Sequence, residues 1–310
     1  MQEVRIRPAD PERDYAAYAS LFYSCDPRVV HPELLREQDA EVIVGTFLER
    51  FLAERDGHIL AAGSAYRIIW DPPTVGRIGV WVTAEARRRG LGSAMASHVE
   101  QVARAKGMTT IETVTMDTDP GARRFAESRG YELRAHCFES TLDLREFDPN
   151  RFADWVLPEG VRFFALSEIP MDEPAQREFW DLNTETSRDE PSNDPNHRPT
   201  FEQFANSVLT ARWFDPSLQI VAADGEEWIG LSAVGEVTEG GWENLFTAVR
   251  RKHRGRGIAK ALKVIALSRA KQKGATIVRT DNDSRNAPMI AINRALGYRD
   301  EPGWLKWSKA

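Results

Sequence analysis

Arg87-Arg88-Arg89-Gly90-Leu91-Gly92 and Arg254-Gly255-Arg256-Gly257-Ile258-Ala259 are two copies of one pattern, R-x-x-G-x-[GA]. Each follows an apolar, strand-like run and opens an amphipathic, helix-like run. A glycine-rich turn at that junction gathers backbone N–H groups at a helix N-terminus, where they can hold a diphosphate. Glycine lets the anion approach the backbone, and the arginines add positive charge. Two rival glycine motifs are excluded. No Gly-Lys-Ser/Thr is present, so this is not a nucleotide P-loop. Gly255-x-Gly257-x-x-Lys260 lacks the third small residue of a dinucleotide fingerprint.

The elements around these loops repeat as well. Gly90 and Gly257 are 167 residues apart, and so are Lys106-Gly107 and Lys273-Gly274, Thr113 and Thr280, and Gly130-Tyr131 and Gly297-Tyr298. A register held over some fifty positions implies two copies of one domain. In the first copy the patterns predict strands at 4–6, 51–55, 58–69, 76–82, 110–115 and 131–137. Helices are expected at 11–23, 32–50 with a break near Gln38–Asp39, 91–106 and 121–128. Asp56-Gly57 marks a hairpin. In the second copy strands are expected at 161–165, 219–223, 228–234, 244–249, 277–280 and 304–307, with helices at 174–186, from 258 to Gly274, and at 287–295. The resulting domains are 1–145 and 159–310, joined by a linker at 146–158. Asp56-Gly57 and Asp224-Gly225 are 168 apart, whereas Val4 and Val161 are 157 apart. The second copy therefore carries eleven more residues before its hairpin, assigned to 187–199, either a specificity loop or a surface insertion.

Composition bounds the function. The 310 residues suit two domains, and 42% hydrophobic with 28% charged residues describes a globular protein. A net charge of −6 argues against a general nucleic-acid binder. No signal-peptide core or membrane-length apolar run is present, so a cytoplasmic protein without a membrane partner is expected. Cys25 and Cys137 form neither a disulfide framework nor a metal site.

The order of strands, helices, hairpin, R-x-x-G-x-[GA] loop and Gly-Tyr strand resembles the GNAT superfamily of acyl-CoA N-acyltransferases, twice in one chain, as in the mycothiol-synthase type of arrangement. Thr247-Ala248-Val249, Ala261-Leu262-Lys263, Thr280-Asp281-Asn282, Asn286, Met289, Asn293 and Leu296-Gly297-Tyr298 carry the resemblance in the second copy. It implies an α/β fold: two tandem domains, each a mostly antiparallel mixed sheet flanked by helices. It implies acetyl-CoA held by Arg254, Gly255, Arg256, Gly257, Ile258 and Ala259. Its pantetheine arm would lie against Ala248, Val249 and Asn286, where a backbone N–H polarises the thioester carbonyl. The first copy offers Val82, Arg87, Arg88, Arg89, Gly90, Leu91 and Gly92 to a second such cofactor.

Acyl transfer to an amine needs a base and is helped by an acid. Many family members place a tyrosine acid four residues before the Gly of Gly-Tyr. Here that position is Asn293, or Ala126 in the first copy. Asn293 can donate a hydrogen bond to the departing sulfur and cannot protonate it. Glu243 is the candidate base. Asp189 and Glu190 are candidates for binding a cationic amine, with Asn282 beside them. His253 is read as shaping the turn. The first copy has no carboxylate in its strand at 76–82, so chemistry is expected in the second. The reading is an N-acetyltransferase of a small primary amine, monomer or homodimer. A non-catalytic acyl-CoA-binding or regulatory protein and a protein N-acetyltransferase are the alternatives.

Overall fold

The computed structural model describes residues 4–25, 31–40, 43–152, 159–191 and 193–310. The chain divides into two compact units, Met1–Arg134 with Trp304–Ala310, and Ala135–Gly303. In chain order the elements are β1 (Arg5–Pro8), α1 (Tyr15–Cys25), α2 (Pro32–Ala40), β2 (Phe47–Arg55), β3 (His58–Arg67), β4 (Val75–Val82), α3 (Leu91–Ala105), β5 (Thr110–Met116) and α4 (Pro120–Ser128). Then follow β6 (Glu132–Asp143), β7 (Val161–Ala165), α5 (Glu173–Ser187), α6 (Phe201–Phe204), β8 (Gln219–Asp224), β9 (Glu227–Thr238), β10 (Gly241–Val249), α7 (Ile258–Gln272), β11 (Ile277–Asp283), α8 (Ala287–Leu296) and β12 (Arg299–Lys309).

The expected limits of 1–145 and 159–310 are corrected by strand pairing. β6 follows α4 in sequence, yet it pairs along β11, from Asp143↔Ile277 to Cys137↔Asp283, inside unit 2. Trp304–Lys309 at the chain's end pairs with β5 and completes the sheet of unit 1. Periodicity shows that a segment is a strand; it does not choose the neighbour, and a third of sequential strands do not pair. Part of the expected linker is also core. Phe147 is buried in unit 2, while 153–158 lie outside the described residues.

Within unit 1 the strands run β1-β2-β3-β4-β5-β12, antiparallel except for β4 and β5. Leu91, Met95, Val99 and Ala103 recur at helical spacing on α3 and pack on Ala61, Ile78 and Ile111. On the other face α1 and α2 bring Tyr15, Tyr18 and Leu35 onto Leu52 and Ala62. The helix expected at 32–50 ends at Ala40. Phe47–Arg50 belong to β2, where pairing with β3 overrides local propensity. Unit 2 runs β6-β11-β10-β9-β8-β7, with β10 and β11 parallel. Ile258, Leu262, Ala266 and Ala270 of α7 pack on Ile229, Val249 and Val278.

Cys137 is buried and is not part of a disulfide; the Cys25 side chain is outside what is described. Among the described residues no helix is long and apolar enough to cross a membrane, and no His/Cys/Asp/Glu group could hold a metal.

Candidate functional site

The two loops fold alike. Gly90 and Gly257 are the N-caps of α3 and α7, with left-handed φ of 83° and 78°. No side chain caps either helix. A Cβ added at Gly90, Gly255 or Gly257 would meet no heavy atom within 4 Å, so the backbone fronts open space. That cradle, at the N-terminus of a fifteen-residue helix, fits a diphosphate. Leu91 and Ile258 are buried as first residues of their helices, which anchors each loop on its core. The loops differ in residue type at one left-handed position. Gly255 has φ 76°, and Arg88 at the equivalent position has φ 63°, costly for a residue with a side chain.

Behind each loop two parallel strands part. β10 and β11 pair only at Trp242↔Val278 and Glu243↔Arg279, and Thr280 Oγ1 then donates to the Asn244 carbonyl (2.9 Å). β4 and β5 pair from Val75↔Thr110 to Arg77↔Glu112, and Thr113 Oγ1 donates to the Ile78 carbonyl (3.0 Å). Beyond these contacts each pair opens as a fork toward its loop. Backbone groups alternate in direction along a strand. The Arg250 N–H donates to the Ile229 carbonyl of the β9 side (2.8 Å). Ala248 therefore faces β9, while Thr247 and Val249 face the fork. The Ala248 carbonyl agrees, lying 3.0 Å from where a Cβ on Gly230 of β9 would stand. Of the two positions expected along a cofactor arm, Val249 faces the fork and Ala248 faces β9; Thr247 faces the fork beside Val249. Arg254 Nε donates to the Val249 carbonyl (2.8 Å), and Arg87 Nε to Val82 (3.0 Å), so the first arginine of each motif ties loop to strand.

Glu243 lies at the apex of the unit 2 fork, on the face opposite the buried Trp242 and Asn244. Phe246 and Ala248 share that face, and α5 packs on it. In unit 1 the apex pair carries Arg77, whose guanidinium bridges Asp71 (2.6 Å). Trp81 stands where unit 2 has Ala248. Its ring covers Gly79, leaving no room for a Cβ there, and packs at 4.8 Å from Phe22 and 6.0 Å from Tyr18 of α1.

The other face of the unit 2 fork is buried and polar. Asn293 is 1% exposed, and its Nδ2 donates to Asn282 Oδ1 (2.7 Å). Asn282 Nδ2 donates to Ser140 Oγ (2.9 Å), which donates to Asp300 (3.1 Å). Asn282, expected beside the amine, is instead held in this chain of amides, because it points with Thr280 into the α8 side of the sheet. Asn293 Oδ1 is buried with no partner in the protein. Asn286 N-caps α8, accepting from the Met289 N–H (3.4 Å), at the mouth of the fork.

Asp189 does not offer a free carboxylate to an amine. It accepts from Arg251 Nε (2.9 Å) and also binds Arg254, and these hydrogen bonds hold it below the usual carboxylate range, Arg251 foremost. Sequence reading missed this because 62 and 65 residues separate the partners. Glu190 accepts from Asn193 Nδ2 (3.1 Å). One residue on, the Pro191 carbonyl accepts from Arg285 (2.8 Å), next to Asn286. The inserted loop is thus fastened at both sides of the fork mouth. Arg256 Nη1 reaches Asp224 (3.2 Å) and His253 Nδ1 (3.1 Å), so His253 braces the loop against the β8–β9 turn. Sequence reading also passed over Lys263, Asn244 and Ser140 as site residues. A signal existed for Lys263: it interrupts the apolar stripe of α7.

The chain matches the model of the acetyltransferase (GNAT) family over residues 15–131 and 177–298. No curated protein matches it. A GCN5-related N-acetyltransferase from Sphaerobacter thermophilus is 22% identical, with a TM-score of 0.78 over 99% of this chain and 95% of that one. A tandem GNAT protein from the clavulanic acid biosynthesis pathway is 20% identical, with a TM-score of 0.75 over 99% and 98%. At these identities the likeness is one of fold.

Proposed function

The chain belongs to the GNAT family of acetyltransferases, and from that premise we propose that it transfers an acetyl group from acetyl-CoA to the primary amine of a small molecule, with the chemistry in unit 2. The observation that carries this reading is the unit 2 fork. A bare helix N-terminus lies at its mouth, main-chain N–H groups line one arm, and a carboxylate stands at its apex. Acetyl-CoA supplies the activated thioester. The first-turn N–H groups of α7 and the loop backbone at Gly255 and Gly257 hold its diphosphate. Val249 and Thr247 present N–H groups to the arm and the carbonyl, a preorganised donor set for the developing oxyanion. Glu243 accepts the amine proton, directly or through water. The unpartnered atom of the Asn293 carboxamide is Oδ1, an acceptor, while its Nδ2 donates to Asn282, so Asn293 is not read as the donor to the departing sulfur. No tyrosine stands at that point to protonate the thiolate, which leaves toward solvent.

The test is CoA release, followed with a thiol reagent over a panel of amines. Gly257→Glu places bulk and negative charge in the cradle and is expected to lower turnover by about a thousandfold or more. Gly90→Glu, the same change in unit 1, is expected to leave turnover within about twofold. The reverse pattern would move the chemistry to unit 1. The missing tyrosine favours one second reading, a non-catalytic acyl-CoA-binding protein; acetyl-CoA binding without CoA release for any amine would establish it.

A further inference from the structure

Lys263 is 1% exposed in the middle of α7 and, among the described residues, pairs with no carboxylate. Its Nζ donates to Asn244 Oδ1 and lies 5.3 Å from the centre of the Tyr298 ring, whose buried hydroxyl has no partner in the protein. Burial pulls the amine down to about 7, and a neutral amine is far cheaper to bury than an ammonium. A long polar side chain at such a place calls for an account, since Leu or Met would pack there without cost.

Asn244 supplies it. Its Oδ1 accepts from Lys263 and from Thr247 Oγ1 (3.2 Å), and its Nδ2 donates to the Ala233 carbonyl (2.9 Å) and Ser232 Oγ (3.2 Å). Its own carbonyl takes the Thr280 hydroxyl at the point where the strands part. Immediately after it the register slips: Asn244 pairs with Val234 and Phe246 with Ala233, leaving Leu245 as the extra residue of a β-bulge. A one-residue slip inverts the facing of all that follows. The bulge therefore sets the spacing from the apex: Thr247, three residues after Asn244, turns its N–H into the fork, where in the unbulged β4 of unit 1 the residue two after Ile78 does so. Unit 1 has neither part of this device. β4 pairs with β3 without a slip, Ile78 replaces Asn244 and Ala96 replaces Lys263.

We propose that Lys263 is a positioning residue for acyl transfer: through Asn244 its amine fixes the bulge at Leu245 and so aims the Thr247 N–H at the thioester carbonyl. The proposal rests on reading unit 2 as the catalytic half. It is tested with acetyl-CoA labelled with carbon-13 at the carbonyl, whose stretching band is read by difference infrared spectroscopy on the bound ligand, beside steady-state kinetics. The wild-type band is expected below that of free acetyl-CoA. In Lys263→Met it returns toward the free value and kcat falls about 100-fold, the usual consequence of losing one oxyanion donor. Affinity for CoA itself stays within about threefold, because the cradle is untouched. Lys263→Gln keeps a donor for Asn244 and is expected to recover about tenfold in kcat. Asn244→Ser cuts the same link from the strand side and should give the same band, which keeps the test open if Lys263→Met does not fold.

An unshifted band in the wild type, an unchanged band in Lys263→Met or Asn244→Ser, or equal losses of kcat and CoA affinity in both Lys263 variants would each overturn the proposal. A wild-type shift that Lys263→Met abolishes, with no amine turned over, would uphold the positioning and overturn the catalytic reading. Turnover in the wild type with an unchanged Lys263→Met band would overturn the positioning alone.

Discussion

Units 1 and 2 hold nearly the same loop at the same place, and differ in what lies behind it. Gly90 and Gly257 share a left-handed φ within 5°. Arg87 and Arg254 make the same bond to the carbonyl at the strand end. At the apex, however, unit 1 sets Arg77 against Asp71 where unit 2 has Glu243. One face of the unit 1 fork strand is filled by Trp81, Tyr18 and Phe22, and unit 2 has Ala248 there. On the buried face Trp307 donates to Thr115 Oγ1 (2.9 Å), while Ser140 and Asn282 occupy the matching positions in unit 2 and extend the polar chain to Asn293. The comparison teaches that the glycine turn and the side chains behind it vary independently. The turn is main chain and survives changes of side chain; on the reading proposed here, the reaction site is made of the side chains that changed.

The contrast can be broken most directly at the apex. Glu243→Gln keeps the shape and removes the base, and kcat is expected to fall about 100-fold, most severely at low pH where the amine is least often neutral. An unchanged pH–rate profile would remove Glu243 from the mechanism. Asp189→Asn sharpens the account of the inserted loop. If Asp189 only restrains Arg251 and Arg254, the amine KM stays constant while the KM for acetyl-CoA moves by about two- to fivefold as two arginines are freed. A large rise in the amine KM alone would return Asp189 to the substrate. The smallest effect concerns the one left-handed position at which the two loops carry different residue types. Arg88→Gly relieves a left-handed arginine and is expected to stabilise unit 1 by about 1 kcal/mol, read as a small rise in Tm with turnover unaltered.

Much of the site was legible before folding was considered. The loops, their glycines, Val249, Glu243, Asn286 and Asn293 all stand out from motif and spacing, since each sits within one or two elements of the R-x-x-G-x-[GA] turn. Asp189 was misread as a free acid because its partners are remote in the chain. Asn282 was misread because its strand was recognised without the direction in which that residue points. Ala248 was preferred to Thr247 because a β-bulge leaves no mark in local periodicity.

The sequence by itself determined that two copies of one α/β domain are present, that each opens a helix on a glycine turn, and that the copies diverge in the side chains around it. These follow from local rules: glycine's freedom at positive φ, the orphan N–H groups of a helix start, and the periods of strand and helix. Only the tertiary structure decided that β6 belongs to unit 2 and Trp304–Lys309 to unit 1, that Thr247 faces the fork, and that Lys263 is buried on Asn244. Strand partners, register and burial are properties of contacts between distant segments, and these contacts form only when the chain closes on itself.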